Sequence, residues 1–145
     1  MRKILLSIVV IAFVWPVNGN AQNIVDDTLL ASYTKQQVDS IYGEISSVLQ
    51  QIGANNGIEI YRIRYEMLNL AGDTTLVSGA LIRPTNITCP APIVSYLHGT
   101  TTLKTNVPSF LNRELPLAIL FGGSGFYTTM PDYLGLGESK GLLTC

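Results

Sequence analysis

The sequence is short of charged residues, which make up 13% of its 145 positions, about half the usual share for a soluble domain. Disordered chains are rich in charge and poor in apolar residues, so a chain that is 47% hydrophobic is expected to fold. The length allows one domain or part of one. Repeats and biased composition are absent as well, which excludes collagen, coiled coils and low-complexity proteins.

Positive charge, cysteine and histidine are also scarce. Once Arg2 and Lys3 are set aside, seven Lys and Arg residues face ten Asp and Glu residues, a net charge of −3. A nucleic-acid-binding surface needs an excess of Lys and Arg, so nucleic acid is not an expected partner. Two Cys and one His are too few for the ligand sets of zinc sites, so no metal is expected.

The longest predominantly apolar run, interrupted by Ser7 alone, covers residues 4–14 and directly follows that basic pair. A membrane-spanning helix needs about 20 apolar residues, so the run is too short for a stable span. Gly19 and Ala21 place small residues at the −3 and −1 positions of a signal-peptidase site. We therefore predict a signal peptide over residues 1–21, cleavage after Ala21 and a secreted or periplasmic protein. An uncleaved anchor helix is the alternative.

Export would permit a disulfide, for which Cys89 and Cys145 are the two candidates. They lie 56 positions apart, and the sequence leaves open whether they pair with each other. Since Cys145 is the last residue of the sequence, a partner further along the chain is the other possibility.

Helical and strand-like patterns follow one another after the predicted cleavage site. A leading segment over residues 22–33 precedes a capping box at Thr34. Apolar residues three and four apart then predict one helix of about five turns that ends at Gly53. Residues 58–67 and 76–83 predict an antiparallel hairpin at the edge of a sheet.

Two further β-prone runs, residues 92–97 and 126–130, flank a predicted helix over residues 115–121. Strands joined through a helix are expected to pair in parallel, because the crossover returns the chain to the same end of the sheet. The predicted fold is therefore α/β, with an antiparallel edge hairpin followed by parallel strands and helical crossovers. Ligands bind at the carboxyl ends of such strands, where the loops 96–102 and 131–141 lie.

These loops carry His-Gly-Thr at residues 98–100 and Met-Pro-Asp-Tyr-Leu-Gly-Leu-Gly at residues 130–137. In this order, behind a hairpin and an export signal, they resemble the front half of an α/β-hydrolase. The likeness is greatest to secreted lipases and esterases of the secretory-lipase type, and it extends over residues 58–143. It implies a Ser nucleophile, a His base, an acidic partner and an oxyanion hole. It also implies an ester or lipid substrate and no cofactor, while a peptidase of the same fold is the other possibility.

The resemblance assigns the backbone N–H of Thr100 to the oxyanion hole, with His98 and Gly99 as its supporting motif. An amide that is held in place stabilises developing charge without transferring a proton, and Thr100 Oγ could add a second donor. Gly99 is expected to let the chain turn tightly. His98 is not expected to be the catalytic base, because the family's base follows the nucleophile and the acid along the chain.

In the second loop the resemblance implies structural roles for Asp132, Gly135 and Gly137. Asp132 is expected to accept backbone N–H bonds in the glycine turn, and the two glycines to supply positive φ or close approach. A triad acid is the alternative role of Asp132. Residues 122–126 resemble a nucleophile elbow but lack its second Gly and precede a strand, so we predict a loop there.

The one Gly-x-Ser-x-Gly of the sequence, at residues 137–141, lies within the glycine turn of the second loop, whereas a nucleophile elbow directly follows a strand and opens a helix. No histidine follows His98. The expectation is therefore that residues 22–145 are the N-terminal portion of a secreted serine ester hydrolase. Such a portion carries the oxyanion loop but lacks the nucleophile and the catalytic His, and is inactive by itself. The alternative is a non-catalytic exported α/β protein or a vestigial hydrolase that acts as a binding module.

Overall fold

The structure is a computed structural model that describes residues 23–88 and 90–142. The predicted signal peptide, Cys89 and Cys145 lie outside these residues, so the cleavage site and the disulfide stay predictions. Among the described residues, no helix combines the length and the apolar character that crossing a bilayer requires.

Five strands and three α-helices make up most of the described chain. The strands are β1 (Ile24–Tyr33), β2 (Ile58–Leu68), β3 (Thr74–Pro84), β4 (Ile93–Ser95) and β5 (Tyr127–Pro131). The α-helices are α1 (Lys35–Ile45), α2 (Ser47–Ile52) and α3 (Leu115–Gly123), and short 3-10 turns occur at Pro108–Phe110 and Gly137–Ser139.

The strands form one mixed sheet in the order β1-β2-β3-β5-β4. β3 is antiparallel to both β2 and β5, whereas β4 runs parallel to β5 and is connected to it through α3. The predicted hairpin, β2 with β3, is therefore confirmed, as is the parallel pairing across a helical crossover.

The predicted position of the hairpin at the sheet edge is wrong. The segment expected only to lead into the first helix forms β1, which pairs antiparallel along the outer side of β2. The irregular pairing of β1 with β2 explains why the sequence pattern does not predict β1 as a strand. Its register shifts between Ile24 and Asp26 and again between Leu29 and Ala31, so the apolar residues do not alternate with the period of two expected of a regular strand.

The single five-turn helix predicted after Thr34 is also wrong, because the structure has two helices separated at Ser46. The capping box at Thr34 is present, with both of its hydrogen bonds. Ser46 is extended (φ −164°, ψ 136°), and its Oγ accepts a hydrogen bond from the backbone N–H of Val48 at 3.2 Å. A serine side chain that caps a new helix competes with continuation of the old one.

The core lies between one face of the sheet and the helices α1 and α3. Its buried members are Val38, Tyr42, Ala54, Ile58, Ile60, Ala80, Ile82, Ala118, Ile119 and Met130. Helix α3 continues through Gly122 and Gly123, two residues beyond its predicted end. A Cβ at Gly122 would lie 2.6 Å from Ile82 Cγ2, so the glycine lets the helix approach the sheet closely.

Candidate active site

The loop after β4 and the loop after β5 are held together by hydrogen bonds and a ring stack. Tyr133 Oη donates to the backbone oxygen of His98 at 2.6 Å, and the two rings stack with centroids 4.1 Å apart. Gly137 N donates to Lys104 O at 2.9 Å, and Lys104 Nζ donates to Lys140 O at 2.7 Å. The two motifs singled out in the sequence therefore occupy one region, at the carboxyl ends of the parallel strands.

His98 is buried, with 3% of its surface exposed. Its Nδ1 lies 2.8 Å from the backbone oxygen of Gly99. A carbonyl oxygen only accepts, so Nδ1 carries the hydrogen of this bond and Nε2 is the acceptor in the neutral ring. Nε2 is buried and has no hydrogen-bond partner among the described residues. The stack and the Nδ1 bond fix the ring in place, and its non-catalytic role stays a prediction.

Thr100 is exposed at the mouth of the loop. Within residues 23–88 and 90–142, its backbone N–H donates no hydrogen bond, so the amide is free to meet a ligand. Gly99 differs from expectation. Its φ is not positive, and a Cβ placed there would meet no atom within 4 Å. Neither backbone conformation nor packing against the described chain therefore requires glycine at this position.

Asp132 is buried, with 5% of its surface exposed. Its Oδ2 accepts a hydrogen bond from Ser78 Oγ at 2.6 Å, and its Oδ1 accepts one from Ser109 N at 3.2 Å. The predicted bonds from Asp132 to the amides of the glycine turn are therefore wrong in detail. Ser78 links Asp132 to the glycine turn, because Ser78 Oγ accepts a hydrogen bond from Glu138 N at 2.9 Å. Partial burial and the Asp132 charge raise the pKa of Tyr65.

Gly135 and Gly137 have φ values of +87° and +56°, the positive range expected of them. A Cβ at Gly137 would lie 2.5 Å from Ser78 Oγ and would collide with the carboxylate of Asp132. Ser139 closes the turn, since its Oγ accepts from Gly135 N at 3.0 Å and donates to a backbone oxygen of the same turn at 2.9 Å. The glycine turn is thus built around the buried Ser78–Asp132 pair.

Ser78 is the site residue that sequence reasoning missed. It is a polar residue with 1% exposure inside an otherwise apolar stretch of β3, and a polar residue on a buried face needs a partner. That requirement is the signal that could have revealed it. The identity of the partner could not be read, because Asp132 lies 54 residues further along the chain.

A charged cluster on the neighbouring strands was also missed. Glu138 lies 3.6 Å from Arg62 and 3.6 Å from Arg64, and Arg64 also pairs with Asp26 of β1. The Arg64 hydrogen bond lowers the pKa of Asp26. Because all four side chains are about one-third exposed, we treat the cluster as a tie between β1, β2 and the glycine turn rather than as chemical machinery.

A cavity of about 320 Å³ opens beside Thr100. Its polar side chains come from Tyr96, Thr100, Thr101, Asn106, Arg113 and Glu114. Partial burial and the nearby Glu114 carboxylate raise the pKa of Tyr96. In the described part of the chain, no group of three or more His, Cys, Asp or Glu side chains is arranged as metal ligands would be.

Neither a family model nor a curated protein matches this chain, but solved structures do. A candidate hydrolase from Legionella pneumophila superposes with a TM-score of 0.69 at 28% identity, over 81% of this chain and 32% of that protein. The rice cell wall degrading esterase LipA from Xanthomonas oryzae gives a TM-score of 0.66 at 22% identity, over 79% of this chain and 30% of that protein.

The chain thus spans about a third of the length of these solved structures. The likeness establishes that the described residues adopt a hydrolase-like fold, a mixed five-stranded sheet with helices. Fold alone does not define an activity. The activity must therefore be argued from the site.

Proposed function

We propose that this chain is the N-terminal portion of a secreted serine ester hydrolase with the α/β-hydrolase arrangement. The observation that carries the proposal is the exposed backbone N–H of Thr100, in the loop between β4 and α3, which has no partner among the described residues. In α/β-hydrolases one oxyanion-hole amide comes from a loop that leads from a parallel strand into the following helix. The likeness to a candidate hydrolase and to an esterase supports the same assignment.

The loop meets the requirement for an oxyanion donor, which is a fixed position. Tyr133 bonds to the backbone of His98, and His98 is held by its bond to Gly99 and by the stack. The amide two residues beyond His98 is therefore tied to the end of β5 before any substrate arrives. Preorganised donors of this kind lower the barrier because they need no reorientation as charge develops.

The reaction proposed is acyl transfer to a serine and then to water. The serine oxygen attacks the ester carbonyl carbon as a base removes the hydroxyl proton, and the carbonyl oxygen becomes an oxyanion that accepts from Thr100 N–H. The oxyanion collapses, and the alcohol leaves with that proton. Water then releases the acid and restores the serine. The one Gly-x-Ser-x-Gly, residues 137–141, places its serine in a short 3-10 turn, where Ser139 is buried and its Oγ is hydrogen-bonded within the turn. The 145 residues contain no second histidine. The proposal therefore assigns the nucleophile and the base to residues other than these.

The intact mass of the mature protein from its natural producer is the first test. A mass above that of residues 22–145, together with turnover of a short-chain p-nitrophenyl ester, would support the proposal. A mass equal to that of residues 22–145 and no turnover would favour the non-catalytic binding module instead. Turnover by the purified 145-residue chain, beyond a denatured control, would contradict the placement of nucleophile and base elsewhere.

The role of Thr100 is tested by removing its N–H in the active protein. Thr100→Pro should lower kcat by about 100- to 1000-fold, the usual effect of losing one oxyanion donor. Thr100→Val keeps the amide and removes only the hydroxyl, so it is the matched control and also measures any contribution of Oγ. Equal loss in both variants would mean that the backbone N–H is not the donor.

A further inference from the structure

The cavity beside Thr100 is lined by several polar side chains that have no hydrogen-bond partner in the described part of the chain. Among the described residues, the side chains of Thr100 and Arg113 form no hydrogen bond or ion pair, and neither does that of Asn106. Glu114 forms no ion pair within residues 23–88 and 90–142, and its side-chain neighbour in the cavity is the Tyr96 hydroxyl. A cation, a carboxylate, an amide and a hydroxyl thus line one cavity of about 320 Å³ without being committed to each other.

The composition of this lining selects the kind of group that fits. An anion would be attracted by Arg113 but repelled by the carboxylate of Glu114. A cation would be attracted by Glu114 but repelled by Arg113. An alkyl chain would leave the side chains of Thr100, Asn106 and Arg113 without a partner, which is costly once water is displaced from them. A neutral group with several hydroxyls can donate to Glu114 and accept from Arg113 and Asn106 at the same time.

Shape and position agree with this selection. A cavity of this size lies in the range of small-molecule sites, and Tyr96 adds an aromatic surface against which the C–H face of a ring can pack. Thr100 belongs both to the wall of the cavity and to the candidate oxyanion hole. A group bound here therefore lies next to the scissile ester.

We propose that this cavity is a subsite for a neutral polyhydroxylated group, such as a sugar or glycerol unit, which forms part of the ester substrate. The inference rests on the proposed function for its place in the reaction, and the binding site itself does not. It predicts that hydrophilic esters are preferred to esters in which long alkyl chains flank the carbonyl on both sides.

Binding of three probes to the untrimmed gene product, measured by ligand-detected NMR, tests the proposal without turnover. Methyl α-D-glucopyranoside represents the polyol, succinate the anion and hexan-1-ol the apolar group. We expect saturable binding of the glucoside, with a Kd on the order of 1 mM for a ligand of this size, and weaker binding of the other two. Tighter binding of succinate or hexanol, or no saturable glucoside binding, would overturn the proposal.

Two charge variants separate a polyol site from an anion site. Arg113→Gln and Glu114→Gln should each weaken glucoside binding about tenfold, since each removes a charge-assisted hydrogen bond. In an anion site Glu114→Gln would strengthen binding instead. Arg83→Gln is the control, because Arg83 is an exposed arginine paired with Glu59 on the hairpin, and it should leave the Kd unchanged.

Each variant should first be shown to keep the unfolding midpoint of the parent protein. An unchanged Kd in both Arg113→Gln and Glu114→Gln would mean that the glucoside binds elsewhere. Because the assay needs no catalysis, glucoside binding without ester turnover would leave the subsite in place and reject the hydrolase. Ester turnover without glucoside binding would reject the subsite and leave the proposed hydrolase activity in place.

Discussion

The Tyr133 hydroxyl donates to the backbone oxygen of His98 at 2.6 Å while its ring stacks on the imidazole. This one contact joins the ends of two parallel strands, β4 and β5, through residues 35 positions apart. Its acceptor is backbone rather than side chain, so it fixes the path of the chain itself. Because the Thr100 amide lies two residues after His98, its position is restrained by the same contact.

Removing the Tyr133 hydroxyl should loosen this junction. Tyr133→Phe keeps the ring stack but leaves the His98 carbonyl without its donor, and we expect a loss of about 1 kcal/mol in the free energy of unfolding. Urea denaturation gives the measurement. Tyr33→Phe is the matched control, because the Tyr33 hydroxyl makes no hydrogen bond among the described residues and Tyr33 packs against the core. Equal losses in the two variants would show that the hydroxyl bond contributes nothing.

The glycine turn should not tolerate a side chain at Gly137. Gly137→Ala places a methyl group against Ser78 and Asp132 at a φ of +56°, so strain and overpacking add, and we expect a loss of about 3 kcal/mol or more. A methyl group at Gly141 would meet no atom within 4 Å, and Gly141→Ala should stay within about 0.5 kcal/mol of the parent. Thermal unfolding distinguishes the two variants, and a neutral Gly137→Ala would contradict the packing described.

Ser78 and Asp132 should be energetically coupled. Ser78→Ala leaves a buried carboxylate and the Glu138 amide without their shared partner, and we expect a loss of about 2–3 kcal/mol. A double-mutant cycle with Asp132→Asn should give an interaction energy of about 1 kcal/mol or more. Ser40→Ala, which removes an exposed hydroxyl on α1, is the control. Additive losses within about 0.3 kcal/mol would show that the pair does not act as a unit.

Two helical glycines should respond to alanine with opposite signs. Gly122→Ala would drive a methyl group into Ile82 and Ile58, so we expect destabilisation by about 1–3 kcal/mol in spite of the better helix propensity of alanine. At Gly43 of α1 the nearest atom belongs to the flexible end of Gln50, at 3.3 Å. Gly43→Ala should therefore stabilise by about 0.5–1 kcal/mol. Stabilisation at both sites, measured by urea denaturation, would contradict the close approach of α3 to the sheet.

Acid should destabilise the fold partly through Asp39. The Lys35 hydrogen bond and the Ala54 amide hold the pKa of Asp39 below its ordinary value of 3.8. A carboxylate whose folded pKa is lowered contributes stability above its unfolded pKa, and that contribution disappears as pH falls through the folded value. Below about pH 4 the unfolding temperature should therefore fall, and Asp39→Asn should flatten the slope.

Lys35→Gln serves as the graded control for this pH dependence. It removes the largest cause of the lowered pKa and keeps the Ala54 bond, so the slope should be reduced but not abolished. An acid slope that is the same in the parent protein and in Asp39→Asn would show that this carboxylate does not contribute.

Local pattern was a reliable guide where neighbours in sequence decide the structure. The capping box at Thr34, the hairpin of β2 with β3 and the helix between the parallel strands were all predicted. The two site loops were placed at the correct ends of their strands. Each of these depends on periodicity or capping over a few residues, which a sequence displays directly.

The sequence pattern gave wrong predictions where the structure of a segment depends on contacts with residues far away in sequence. β1 is a strand because β2 offers it an edge, although its own residues alternate poorly. Gly99 was given a conformational role by its motif alone, and its backbone does not need one. Gly122 was expected to lie beyond a helix end, yet packing against the sheet keeps it inside the helix.

The sequence by itself determined the order of the elements from β2 onward, the position of the two loops at their strand ends and the presence of a single histidine within its 145 residues. Only the tertiary structure decided that Ser78 holds Asp132, that Tyr133 holds His98, and that Arg113 and Glu114 share a cavity with Thr100. The physical reason is separation along the chain. Hydrogen bonds and cavities between residues tens of positions apart depend on how the sheet brings strand ends together, and no local pattern encodes that distance.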